Sequence, residues 1–327
     1  MQFSLQGLLL AFVVVAMSAA LFGVTGLPVA ATLLAVVGWI HRPGRMAPRL
    51  ATAGSVFLFG AVLYSLWLGC SDPPETFRRP ACRSNLREIG HALSYYEAQH
   101  GRFPPTSIVS QDGQPLHSWR VLMLPMLGHN GLFASLKLDE AWDTATNKSL
   151  LASPKILQYQ CPTDRSHQRP STTHYLAITG PDSLWGKEAR TSREGNIPNP
   201  AVVAEVLESD IGWGEPRDMT FEEACRGVNC GTVSGIASRH VVPGGLFFHD
   251  QCGAHVLFAD GSVEFITTET PPDLLRAVLR GEPESLAELK SFQRDYTGRI
   301  HWANCTAVAV LAASLLGLLV PARPNRH

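Results

Sequence analysis

Cys82-Arg-Ser-Asn-Leu-Arg-Glu-Ile-Gly-His-Ala-Leu-Ser-Tyr-Tyr-Glu-Ala-Gln-His-Gly-Arg-Phe-Pro-Pro105 sets the architecture of this chain. Leu86, Ile89, Leu93 and Tyr96 recur at helical spacing with Ala92 beside them, while Arg83, Arg87, Glu88 and Glu97 take the other side. That pattern is a helix with one apolar stripe to bury. Gly101 supplies the left-handed residue that ends helices, and Pro104-Pro105 prevents the helix from resuming. The chain beyond Pro105 has to fold back onto the stripe.

Working outward, residues 1–40 hold no charged side chain, and crossing the hydrocarbon takes about 20 helical residues. This length suits two spans, about 4–22 and 25–40, joined near Gly23-Val-Thr-Gly-Leu-Pro28. Further apolar runs at about 50–69 and 302–320 make four transmembrane helices in all. The loop His41-Arg-Pro-Gly-Arg-Met-Ala-Pro-Arg49 and the tail Ala322-Arg-Pro-Asn-Arg-His327 are basic, which holds both on the cytoplasmic side and puts residues 71–300 outside. Met46 to Cys70 also reads, taken alone, as a lipoprotein-like leader ending in a cysteine, although Trp67 and Leu68 suit cleavage poorly.

Net charge over the 327 residues is −1, but all 28 acidic residues lie between Asp72 and Asp295. Five of the 27 basic residues (Arg42, Arg45, Arg49, Arg323 and Arg326) fall outside 71–300, leaving 22 inside and a balance of −6 there. So acidic a domain is a poor nucleic-acid binder, and its expected partners are the membrane and other cell-envelope proteins.

The Cys82 stretch, Cys161-Pro-Thr-Asp164, Glu215-Pro-Arg-Asp218, Ser238-Arg-His240 and Phe258-Ala-Asp-Gly-Ser-Val263 together resemble the mostly planctomycete family called domain of unknown function 1559, or bacterial solute-binding family ten. The likeness spans roughly residues 78–280. It implies an α+β, pilin-like extracytoplasmic domain with a long N-terminal helix packed on an antiparallel sheet, and no established reaction. The family's usual prepilin start, a cleavable leader before Phe-Thr-Leu-Ile-Glu, is absent; Phe3-Ser-Leu-Gln-Gly7 is a faint echo.

Within 71–300, Ser118 to Leu127 reads as an apolar helix interrupted at Pro125, and Leu132 to Leu138 as a shorter one. Trp142, in Asp139-Glu-Ala-Trp-Asp143, reads as a packed anchor or as part of a sugar or peptide platform. Tyr159–Cys161, Thr173–Thr179 and Ala201–Glu208 read as strands, and 185–200 as a polar loop. In Glu215-Pro-Arg-Asp218 the arginine between two carboxylates predicts an ion-paired turn. Asp260-Gly261 predicts a two-residue hairpin turn pairing Ala259 with Ser262, which sets Phe258 opposite Val263 and Val256 opposite Phe265 on a core face. His255, Leu257, Glu264 and Ile266 then share the outer face. Thr270-Pro-Pro-Asp273 opens a helix over Leu274–Leu279.

Seven cysteines are present, and five of them (Cys82, Cys161, Cys225, Cys230 and Cys252) lie inside the domain assigned to an oxidising compartment. Cys82 and Cys161 sit in two family-like motifs, which makes them one candidate disulfide; Cys225 and Cys230 are close enough to close a small loop. Spacing does not fix connectivity. A metal site could instead draw on Cys225-x4-Cys230, Cys252-x2-His255, His249 or Asp250, and Asp260 could ligate calcium or serve only the turn. There is no serine elbow, zinc-protease helix or phosphate loop, since Gly231-Thr-Val-Ser-Gly235 has its serine misplaced. The leading expectation is a membrane-anchored structural or interaction module without catalysis or cofactor. The rival is an envelope hydrolase or metal-dependent binding protein using His240, His249, His255 and Asp260.

Overall fold

The computed structural model describes residues 75–152, 156–163, 171–181, 183–185, 199–231, 235–242 and 251–297, with short pieces at 305–306 and 309–310. The first three apolar runs, and all but those short pieces of the fourth, lie outside these residues, as does His249. Among the described residues no helix is long and apolar enough to cross a membrane. Nearly all the described residues belong to one compact unit, Pro73–Pro243 with Asp250–Thr297.

The amphipathic stretch forms α1 (Glu75–His100), about 39 Å long, and Gly101 ends it with φ of 70°. Leu86, Ile89 and Leu93 are buried, each contributing about 2 kcal/mol of transfer free energy. A hairpin of β1 (Ser107–Val109) and β2 (Pro115–Ser118) leads into the short α2 (Trp119–Met123), whose first turn is capped by the Ser118 hydroxyl accepting from Arg120 N–H. Helices α3 (Asn130–Ser135) and α4 (Ala145–Ala152) come next. Trp142 packs half-buried against the core.

The central sheet contains β3 (Tyr175–Thr179), β4 (Ala201–Glu205), β5 (Met219–Thr220), β8 (His240–Val242), β9 (Gln251–Phe258) and β10 (Val263–Thr267). Their order is β10-β9-β4-β3-β5, with β8 also on β9. All pairs are antiparallel except β3 with β5. Because β10 occupies one edge of β9 along Gly253–Leu257, β8 at Gln251–Gly253 takes the other edge, continuing where β4 stops. A small parallel pair, β6 (Val228–Cys230) and β7 (Ile236–Ser238), comes after the capped turn α5 (Phe221–Ala224). Helices α6 (Pro272–Arg280) and α7 (Ser285–Thr297) follow.

Both faces of the sheet are covered. On one, the α1 stripe packs with Val203, Leu257, Val263, Tyr175 and Trp119; on the other, Leu275, Val278, Leu279 and Leu289 of α6 and α7 pack with Ala204, Val256, Phe258 and Ile266. Gly90 lets α1 lie close on β9, since a Cβ there would stand 2.9 Å from Leu257 Cδ1. The architecture is α+β with a mainly antiparallel sheet, as the family resemblance implies.

Three expectations are corrected. The hairpin loop has three residues rather than two: Phe258 N–H donates to Ser262 O, Gly261 N–H to Phe258 O, and Gly261 takes φ of 81° as a one-residue bulge. The register moves by one, pairing Val263 with Leu257 and Phe265 with His255. Leu257 and Phe258 therefore enter opposite cores, and no outer face exists on β9. Tyr159–Cys161 is not a strand, because Asn85 Nδ2 of α1 donates to both Leu157 O (3.1 Å) and Gln160 O (2.8 Å), holding a single 3-10 turn at Leu157–Tyr159. The Glu215–Asp218 turn is ion-paired as expected, through Arg217 to Glu215 with Asp210 alongside, whereas Asp218 turns inward to Arg120.

Candidate metal centre

Four side chains from four separate parts of the chain meet under α1. Cys82 lies about two turns into that helix, Cys161 comes just after the 3-10 turn, Glu205 ends β4 and His240 begins β8. One ligand-type atom from each lies within 4.8 Å of every other, and all four residues are buried. Cys82 Sγ and Cys161 Sγ are 2.8 Å apart as free thiols, Cys161 Sγ is 3.6 Å from His240 Nε2, and His240 Nε2 is 2.8 Å from Glu205 Oε1.

Local backbone placement explains the convergence. Where β4 stops, the Glu205 carboxylate replaces the missing strand: its Oε2 accepts His255 N–H at 3.0 Å and lies 3.2 Å from His255 Nδ1. Ser238 Oγ accepts His240 N–H at 2.8 Å and itself donates to Gly253 O, which fixes the start of β8 on β9. Thr163 Oγ1 stands 3.2 Å from His240 Nδ1 and so turns Nε2 toward the cluster. Cys161 N–H donates to His174 Nδ1 at 3.1 Å. The Cys-Pro-Thr and Ser-Arg-His motifs thus each supply one cluster member, and each also supplies a hydroxyl that positions His240.

Burial governs the electrostatics. Desolvation would raise the Glu205 carboxyl, but His240 and His255, by charge and hydrogen bonding, outweigh it and hold the group well below the usual carboxylate range. Burial also raises both thiols. At Cys161 the hydrogen bond from Cys82 and the neighbouring His240 reverse this and lower it, whereas Cys82 is pushed far up by burial and by Cys161. The Tyr175 hydroxyl approaches Cys82 without reaching hydrogen-bond geometry with any group. Beside the cluster, a cleft of about 250 Å³ is lined by Arg79, Arg83, His255, Glu264, Phe265 and Gln293.

Of the residues singled out from sequence, His240 and His255 come together, with ring centroids 5.2 Å apart and Glu205 between them. Asp260 instead stands at the hairpin tip, five residues or about 17 Å of strand beyond His255. Its Oδ1 accepts Ser262 N–H at 2.8 Å and its own N–H donates to Asn199 Oδ1. Cys230 is bonded to Cys252, joining β6 to β9, and Cys225 is free. The small Cys225–Cys230 loop is therefore not formed. Glu205 was missed from sequence; the one signal it gives is a carboxylate directly ending an otherwise apolar strand.

The architecture and cluster define a two-core α+β domain with a buried thiol, imidazole and carboxylate centre. The family described as protein of unknown function DUF1559 (SBP_bac_10) matches residues 75–235, and over those residues the chain belongs to it. The matched span contains Cys82, Cys161 and Glu205 but ends before His240 and the Phe258–Val263 likeness. Neither the curated proteins nor the solved structures contain a significant match.

Proposed function

We propose that this chain is a membrane-anchored, extracytoplasmic module of the bacterial cell envelope, pilin-like in its long helix laid on an antiparallel sheet, which acts by holding or contacting other envelope proteins. The observation that carries the reading is the Cys230–Cys252 bond between β6 and β9, because such a bond persists in an oxidising compartment. The charge pattern of the sequence supports it: basic residues flank the apolar runs, and acidic ones are confined to the domain between them. The buried cluster favours a structural over a catalytic use, since its four side chains face one another and leave no member exposed to a substrate. Capture of the intact protein from detergent-solubilised membranes, with identification of co-purifying proteins, tests the reading. Recovery with envelope proteins is expected; recovery from the soluble fraction alone overturns it.

A further inference from the structure

We propose that Cys82, Cys161, Glu205 and His240 form a structural zinc site. The inference is independent of the compartment and partners given above.

Two sulfurs, one imidazole nitrogen and one carboxylate oxygen are the donor types zinc takes, and four protein donors close a tetrahedral site with no position left for substrate. Softness selects the ion, because a pair of thiolates with imidazole suits zinc and not calcium or magnesium. Tetrahedral bonding sets sulfur and nitrogen ligands about 3.6 Å apart, and Cys161 Sγ to His240 Nε2 already spans 3.6 Å. Two thiolates on zinc stand about 3.8 Å apart, so the ion would part Cys82 and Cys161 by about 1 Å from their 2.8 Å approach.

The surrounding groups are those a metal centre requires. With its proton on Nδ1 and donated to Thr163 Oγ1, His240 turns a lone pair on Nε2 to the ion. Glu205 keeps Oε2 on the His255 backbone and aims Oε1 inward. The Tyr175 hydroxyl, fully buried beside Cys82 and otherwise without a partner, gains a strong acceptor when that sulfur is a metal-bound thiolate and only a weak one when it is a thiol or half of a disulfide. A disulfide between the same cysteines would leave this hydroxyl unsatisfied.

The experiment uses the full-length chain, purified in detergent without chelator or reductant. Plasma mass spectrometry should find about one zinc per chain. Alkylation mapping should label Cys82 and Cys161 only after unfolding with a chelator, and cobalt exchanged into the protein should show thiolate-to-cobalt charge-transfer absorption. Cys82→Ser should abolish stoichiometric zinc, Cys225→Ser should keep it, and Thr163→Val, which removes the hydroxyl beside the outer nitrogen of His240, should weaken affinity on the order of 10–100-fold. A peptide joining Cys82 to Cys161 through a disulfide, or a cobalt spectrum without the charge-transfer band, overturns the proposal. Both readouts come from the unsubstituted protein and so do not depend on any variant folding.

Discussion

Arg120 is wholly buried, and its guanidinium is spoken for atom by atom: Nε donates to Tyr175 O at 3.1 Å, Nη1 to Ser118 Oγ at 2.6 Å and Nη2 to Asp218. Asp218 Oδ1 also accepts Ala177 N–H at 2.8 Å and Trp119 Nε1–H at 3.2 Å. Removing one partner strands a buried charge, so Asp218→Ala should cost about 3–5 kcal/mol in urea unfolding, while Arg120→Met with Asp218→Leu should recover only the part due to that charge, because Ala177 and Trp119 still lose their acceptor. A cost under about 1 kcal/mol for the single change would show that Arg120 finds another acceptor. Burial raises the Asp218 carboxyl above its ordinary value despite the opposing pull of Arg120. The native group then holds its proton more tightly than the unfolded chain, so its contribution is greatest below the unfolded value near 3.9 and declines as pH rises through the native value. The stability difference between the protein and Asp218→Asn, measured from pH 3 upward, should shrink in that direction; a difference that grows with pH contradicts the assignment. The Cys230–Cys252 bond closes a separation of 22 residues, and replacing both by serine should cost about 3 kcal/mol in the same assay.

At the scale of elements, the β9–β10 hairpin separates two cores, which yields a comparison a one-faced strand would not. Leu257→Asp and Phe258→Asp should each unfold the domain or destabilise it severely, because each puts a charge into a different apolar layer. Glu264→Gln should change the melting temperature little, since it loses only the half-exposed pair with Lys290. Gly261→Ala should cost about 1 kcal/mol for its left-handed backbone. If Leu257→Asp is tolerated, the register is the two-residue one after all. These elements also show what the sequence reveals and what it hides. The end of α1 was legible because Gly101 and two prolines act locally, and the hairpin because Asp260-Gly261 has few other uses. Its facing was not, because Ala254 to Phe258 is nearly continuous in apolar residues, and a strand buried on both sides erases the period of two. The metal centre was half legible: Cys82, Cys161 and His240 were singled out for separate roles. Their meeting spans 79 residues between the cysteines, and Glu205 between 161 and 240 joins them only through sheet order, which local pattern does not carry.

For the whole molecule, the four apolar runs and their basic flanks predict both termini in the cytoplasm. A reporter active only outside the membrane should work when inserted near Gly195 and fail at the C-terminus; the opposite pattern, or activity at both, defeats that topology. The sheet itself ends at β10, whose outward backbone groups no strand covers among the described residues. There α7 intervenes: Gln293 Nε2 donates to Phe265 O at 2.7 Å, and Lys290 holds Glu264 alongside. An edge strand left bare recruits further strands, so these two side chains make the rim unwelcoming to a neighbouring chain. The consequence is colloidal: crowded at high local density on a surface, copies of this domain can sit side by side without knitting into a continuous sheet, and loss of Gln293 would first be felt as slow fibrillar aggregation rather than as a lower melting temperature.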